Sequence, residues 1–178
     1  DEKSLVAEGR WPWNRDKVAL LTRQIFDRYK VKVLGFDVIF SEPDETSGLA
    51  TLEQLGKNEL KADGEFQAIL PRLRKDLDYD GKFADVLNDR SVVLSFSGSG
   101  NLEASNLINI GQLPPPTFTS GSFGKRQIVT TTLAGYSANL KVLQDNAAST
   151  GHILPDLDVD GIIRRVPMLV KYKDGFYE

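Results

Sequence analysis

The sequence predicts an α/β fold, a mixed sheet with packed helices in a single layered domain over residues 1–178, ending in a β-hairpin. Three observations predict it. A helical stripe of apolar residues at Val18, Leu21, Ile25 and Tyr29, with Phe26 beside them, is followed closely by a nearly unbroken apolar run from Lys32 to Phe40. That run is the pattern of a strand covered on both faces. A second apolar strand, Ser91 to Phe96, follows another helical tract, and Ile162 to Tyr172 runs into Asp174-Gly175, a hairpin turn signal. Helices alternating with strands in this way belong to layered α/β architectures.

Each element has a local reason. Asn14 is placed to cap a helix beginning at Arg15, with Asp16 in the first turn where a carboxylate suits the dipole. Trp11-Pro12-Trp13 forms a stiff entry, because proline restrains the residue before it. Asp37 interrupts the apolar strand, and Ser41-Glu42-Pro43-Asp44 turns the chain away. A strand ahead of residue 1 is expected to complete the layer. Residues 45–78 are charged and carry Gly48, Gly56, Gly64 and Pro71. They read as a variable, mobile helical tract, with one short helix on Leu49, Leu52 and Leu55. A second helix on Phe66, Ile69, Leu70, Leu73 and Leu77 is kinked or begun at Pro71.

Gly81 to Asn88 reads as a helix with Phe83, Val86 and Leu87 inward. Ser97-Gly98-Ser99-Gly100 ends the strand before it, and Pro114-Pro115-Pro116 stiffens a long connection. Gln127 to Thr132 can pair as a strand, and Leu140 to Ala148 reads as a helix. His152 to Leu154 begins the last sheet segment. Ile162 to Tyr172 is one strand, with Val166, Met168, Val170 and Tyr172 on a single face.

Composition narrows the function. Lys and Arg total 22 against 25 Asp and Glu, a net charge of −3. Nucleic-acid modules carry a clustered basic excess, so no nucleic-acid partner is expected. The absence of cysteine excludes disulfides, zinc–thiolate sites, iron–sulfur clusters and a cysteine nucleophile. No run of about 18 apolar residues is present to span a bilayer. The chain begins with Asp and stops just after the hairpin signal, so we read it as a module cut from a longer chain.

Candidate binding residues are few. Asp156-x-Asp158-x-Asp160-Gly161 opens like a calcium loop, but its twelfth position is Pro167, which has no ligand oxygen. A hydrogen-bonded Asp/Gly turn is the expected structure and no metal site is assigned, although an isolated cation at the turn stays open. Arg164 and Arg165 are strand neighbours, so one of them should face the covered side of the sheet. A buried guanidinium needs a carboxylate, and Asp37 is the expected partner, as a structural ion pair or as the floor of an anion pocket. His152, the only histidine, suits packing or a hydrogen bond, with pH sensing as the sharper reading. Trp11 and Trp13, with Arg15 nearby, can cap a pocket or stack on each other. The ligand-binding candidates are therefore Trp11, Trp13, Arg15, Asp37, His152, Asp158, Asp160, Arg164 and Arg165. No catalytic residue and no cofactor are assigned.

Four segments, taken in order, resemble the second class of CHASE domain (cyclase/histidine-kinase-associated sensory extracellular). They are Asp1 to Leu5 with Gly9 to Arg15; Gly35-Phe-Asp-Val-Ile-Phe-Ser-Glu-Pro-Asp44; Leu77-Asp-Tyr-Asp80 with Phe83 and the strand Val92 to Phe96; and Gly151-His152 with Pro155 to Leu169. Gly135-Tyr136 and Asn139-Leu140 also fit it. The resemblance implies a non-catalytic sensor on the outer side of a bacterial cytoplasmic membrane, anchored by flanking membrane segments and paired as a homodimer through its parent receptor. It implies an unknown small-molecule or protein signal. The output is an adenylate or guanylate cyclase, a histidine kinase or a Ser/Thr kinase, and the Leu77 to Phe83 tract resembles the cyclase-linked members. No ligand and no catalytic residue carry over. Two other readings stand beside it: a small secreted enzyme or binding protein using Asp37, Glu42, Asp44 and the Asp158/Asp160 turn, and a structural spacer that dimerises.

Overall fold

The computed structural model describes residues 2–100 and 109–178. The fold is α/β, with helices and mixed sheets. The chain forms two compact units, Asp1–Val31 with Pro43–Val86, and Lys32–Glu42 with Leu87–Glu178.

The first unit is helical. It holds α1 (Glu2–Glu8), α2 (Arg15–Asp27), α3 (Leu49–Lys57), α4 (Gly64–Leu77) and α5 (Tyr79–Leu87), whose last residue belongs to the second unit. The Asn14 side chain accepts from the Lys17 N–H at 2.9 Å, the expected cap of α2. The buried face of α2 is Val18, Ala19 and Thr22. Leu21 and Tyr29, expected in that stripe, are 44% and 68% exposed. Leu21 lies about 100° around the axis from the centre of the buried face, and Tyr29 falls beyond the end of the helix. Thr22 takes the place an apolar residue was expected to fill; its Oγ1 donates to the Val18 carbonyl at 2.9 Å, so its burial leaves no unpaired hydroxyl.

The tract from 49 to 77 forms two helices packed on each other. Asp63 caps α4 by accepting from the Phe66 N–H at 3.0 Å, so the helix begins at Gly64 and Pro71 lies inside it. Gly56 is what lets α3 approach: a Cβ there would sit 2.9 Å from Leu70 Cδ2 and 3.2 Å from Phe66 Cε1. The Gln67 amide then reaches the Gly56 and Leu60 carbonyls at 2.8 and 3.0 Å.

The second unit is built on β2 (Val92–Ser99). β1 (Leu34–Gly35) and β5 (Ser149–His152) pair parallel with it, and β4 (Gly135–Ser137) antiparallel. The Ser91 and Val93 carbonyls accept from Leu34 and Phe36, while the Val92 carbonyl accepts from Ala148. Alternate carbonyls of a strand point to opposite edges, so β1 and β5 flank β2 on both sides. Val92, Leu94 and Phe96 are buried. Phe96 joins Leu133, Ala138, Val170 and Tyr177 in one apolar cluster. Ser97-Gly98-Ser99, expected as a terminating loop, is instead the outer half of β2 and pairs with Ser137, Tyr136 and Gly135.

The expected strand from Lys32 to Phe40 is cut to Leu34–Gly35. Beyond it, side chains replace the ladder. Ser95 Oγ donates to the Val38 carbonyl at 3.1 Å, and the Phe40 N–H donates to Asn139 Oδ1 at 2.9 Å. The Asn139 amide nitrogen donates to the Ser95 carbonyl at 2.9 Å, and Asn139 is fully buried. Gly111, at φ +74°, lets its segment approach closely: a Cβ there would sit 2.1 Å from the Ala138 carbonyl oxygen.

β9 (Gly175–Tyr177) is the middle strand of a second sheet, between β3 (Phe118–Thr119) and β8 (Val170–Tyr172). β8 and β9 are the predicted closing hairpin, turning at Lys173-Asp174, one residue earlier than the Asp-Gly signal. The single strand expected from Ile162 to Tyr172 is two: β7 (Ile163–Arg165), paired with β6 (Asp156–Leu157), and β8. Pro167 lies between them and has no N–H for a ladder. Val166 and Met168 are consequently 64% and 83% exposed, whereas Val170 is buried. Gln127 to Thr132 forms no strand; Thr132 makes one isolated bridge to Lys171. The helix expected over Leu140 to Ala148 is a single turn, α6 (Lys141–Gln144).

Replacing Asn139 by Leu should orphan the Phe40 N–H and the Ser95 carbonyl. Each buried group left unpaired costs about 1–3 kcal/mol, so the variant should lose about 3 kcal/mol in urea unfolding. A midpoint unchanged from wild type would refute this role for the carboxamide.

Candidate functional site

The polar residues of the first unit converge where α2, α5 and the turn after Pro43 begin. The Arg15 N–H donates to Asp44 Oδ2 at 2.5 Å, and the Asp44 N–H donates to Asp80 Oδ2 at 2.8 Å. Arg15 Nε lies 3.5 Å from Asp80 Oδ1, and both side chains are 15% exposed, so the pair is largely withdrawn from water. Burial pushes the Asp80 carboxyl above the ordinary aspartate value, against the Asp44 N–H and the Arg15 charge, which favour its anion. Asp44 moves the other way. Burial raises it, but hydrogen bonds from the Thr46 hydroxyl, the Arg15 N–H and the Thr46 N–H together outweigh that and lower it. Trp11 and Trp13 stack edge to face with centroids 5.9 Å apart. Trp13 Nε1 donates to the Gly9 carbonyl at 3.1 Å, and Lys17 Nζ lies 5.7 Å from its ring centroid. Of the two roles read for the tryptophans, this geometry shows the stacked pair.

In the second unit, Asp158, Asp160, Arg164 and Arg165 come together on the β6–β7 hairpin. The Gly161 N–H closes the turn on the Asp158 carbonyl at 2.8 Å, with Gly161 at φ +76°. Arg164 bridges Asp158 at 2.9 Å and Asp160 at 2.8 Å, and Arg165 pairs with Asp158 and Asp156. The Arg164 guanidinium thus occupies the space between two carboxylates that a cation would need. Among the described residues, no cluster of three or more His, Cys, Asp or Glu is arranged to hold a metal ion. The hydrogen bond from Arg164 is the main cause that lowers the Asp158 and Asp160 carboxyls; Arg165 adds to it at Asp158 only.

This overturns the pairing expected for Asp37. Both arginines lie on an exposed strand, with side chains 49% and 69% exposed, and neither faces a covered side of the sheet. β6–β7 is a separate two-stranded ribbon, so neither of its faces is sealed by a core. Asp37 itself is exposed. His152, on β5, stacks edge to face with Phe96 at 6.2 Å and accepts from the Leu154 N–H at Nδ1. Burial lowers its pKa, against a hydrogen bond with the Pro167 backbone. The carboxylates of the enzyme reading are mostly engaged as well: Asp44 by Arg15 and Thr46, Asp158 and Asp160 by the arginines.

Two hollows lie in the second unit, and Arg165, a binding candidate in the sequence, lines one of them. One, of about 730 Å³, runs between Ile128–Thr131 and Arg165–Leu169. The other, of about 600 Å³, lies between the Gln112–Thr117 segment and residues 144–150, with Tyr177 on a third side. Pro114 and Pro115 of the proline run line the second.

With this geometry in place, comparison identifies the family. The CHASE2 domain matches residues 1–178, the whole chain, and the chain belongs to that family. CHASE2 domains are extracellular sensory domains of signalling receptors and are not catalytic. No curated protein and no solved structure gives a significant match. Among the described residues, no helix is long and apolar enough to cross a membrane.

Carboxyl-detected NMR should find Asp80 titrating above 3.8 and Asp44, Asp158 and Asp160 below it. Ionisation of Asp80 therefore subtracts stability as pH rises from 3.8 through its folded value. Asp44 adds stability above 3.8 that is lost as pH falls through its own lower value. Arg164→Met should raise both Asp158 and Asp160, and Arg165→Met only Asp158; equal effects of the two variants would contradict the hairpin geometry.

Proposed function

We propose that this chain is the periplasmic signal-input domain of a bacterial transmembrane receptor that regulates a cytoplasmic adenylate or guanylate cyclase. The observation that carries the reading is the family match from end to end, since that family is sensory and extracellular. The resemblance of Leu77-Asp-Tyr-Asp80 with Phe83 to cyclase-linked members supports the choice of output. In the structure this tract opens α5; Asp80 belongs to the Arg15–Asp44 cluster and Phe83 is fully buried. Two copies held by the parent receptor pass the stimulus on as a shift of the attached membrane helices. For that, the stimulus must bind one of two arrangements better than the other, and each tenfold bias corresponds to about 1.4 kcal/mol.

The test is a parent receptor from which residues 1–178 have been excised, expressed in a cyclase-deficient bacterium. Cyclic nucleotide output is followed while solutes, osmolarity and pH outside are varied. The excised form should keep a basal output and lose the response that the intact receptor shows. An unchanged response overturns the sensor role, and a parent whose output is phosphoryl transfer overturns the cyclase assignment.

A further inference from the structure

The 600 Å³ hollow of the second unit is built differently from the hairpin and the Arg15 cluster, whose charges are spent on one another. Its size falls in the range of small-molecule sites, about 300–1,000 Å³. One wall carries Gln112 and the prolines, the other carries Gln144, Asp145 and Thr150, and Tyr177 and Glu178 close a third side. Among the described residues, no lysine, arginine or histidine lines it, whereas Asp145 and Glu178 both do. Its Asp145 carboxylate is already held by Lys141 Nζ at 2.5 Å and by Gln112 Nε2 at 3.1 Å. An anion therefore meets no cation here and two acidic residues, Asp145 and Glu178, whose carboxylates can accept from hydroxyl groups.

Beside these carboxylates lie neutral hydrogen-bonding groups and apolar surface. Gln144 and Thr150 are each 8% exposed and make one reciprocal contact, amide nitrogen to hydroxyl at 2.9 Å and hydroxyl to Oε1 at 3.1 Å. A carboxamide offers two donors and two acceptor lone pairs, so this contact leaves capacity over at the wall. The prolines, Ala147 and Ala148 supply apolar surface. Both walls are tied into the rigid part of the unit. The Gln112 N–H donates to the Asn139 carbonyl at 2.8 Å, and Thr150 lies on β5 in register with Leu94. A site held open in advance spares a ligand the ordering cost of forming it.

We propose that this hollow binds a neutral polyhydroxylated solute of sugar or cyclitol size. Such a molecule presents hydroxyl donors to the Asp145 and Glu178 carboxylates and a C–H face to the prolines, and it brings no negative charge to a lining without a cation. The inference rests on the sensor reading for its biological role and names the class of signal. Binding is read on the 178-residue chain alone and the sensor role on the receptor's output, so either can fail without the other.

The experiment titrates the ¹⁵N-labelled chain with glucose, maltose and myo-inositol, and in parallel with glucose 6-phosphate. At least one neutral probe should shift the amides of residues 112–117 and 144–150 saturably in the millimolar range, and the phosphate ester should act at least about tenfold more weakly. Gln112→Ala, at a residue outside the apolar core, and Thr150→Val should each weaken the neutral probe by about tenfold, the loss of one good hydrogen bond. The proposal is overturned if no neutral probe gives a saturable shift, if the shifts fall outside those two segments, if the phosphate ester binds as well, or if Gln112→Ala binds as wild type. Because the wild-type titration decides by itself, a Thr150→Val chain that failed to fold would not protect the idea.

Discussion

The second unit depends on the carboxamide of Asn139. Two backbone groups from distant parts of the chain, the Phe40 N–H and the Ser95 carbonyl, face each other's neighbourhood with no strand between them. A primary amide carries an acceptor and a donor side by side, and it satisfies both at once. The backbone of the same residue accepts from the Gln112 N–H, and the Leu140 N–H beside it donates to the Phe40 carbonyl at 2.8 Å. One residue thus fixes the crossover at 38–40 to β2, sets the start of α6 and anchors a wall of the polar hollow. Aspartate would keep the acceptor and lose the donor while burying a charge; leucine would lose both.

Much of the fold was legible because it is local. The cap at Asn14, the helices over Leu49 and Phe66, the strand at Val92 and the closing hairpin each follow from residues a few positions apart. What could not be read is where side chains supplant the ladder. The apolar run through Ile39 and Phe40 has the composition of a central strand, yet its hydrogen bonds go to Ser95 and Asn139, which no local pattern reveals. In Ile162 to Tyr172 the alternation concealed the decisive residue, Pro167, whose missing N–H divides the run.

The binding residues were legible in part for the same reason. The Asp-rich turn and the arginines beside it were visible, but their pairing was assigned across the molecule. Short loops cost less entropy to close than long ones, and three aspartates within the same hairpin outcompete Asp37 for both guanidinium groups. The polar hollow is the opposite case. Its lining comes from three separated stretches brought together by pairing to Asn139, by β5 and by β9, and Gln144 or Thr150 taken singly is an ordinary polar residue.

The double flanking of β2 carries one more consequence. Val92-Val-Leu-Ser-Phe96 is short, apolar, uncharged and free of proline, the composition from which stacked fibrils grow when a strand edge lies open. With β1 bonded to one edge and β5 to the other, that stretch offers no template to a neighbouring molecule. A lesion that detached β5 would expose it, and such a protein would be lost to aggregation before its stability was spent.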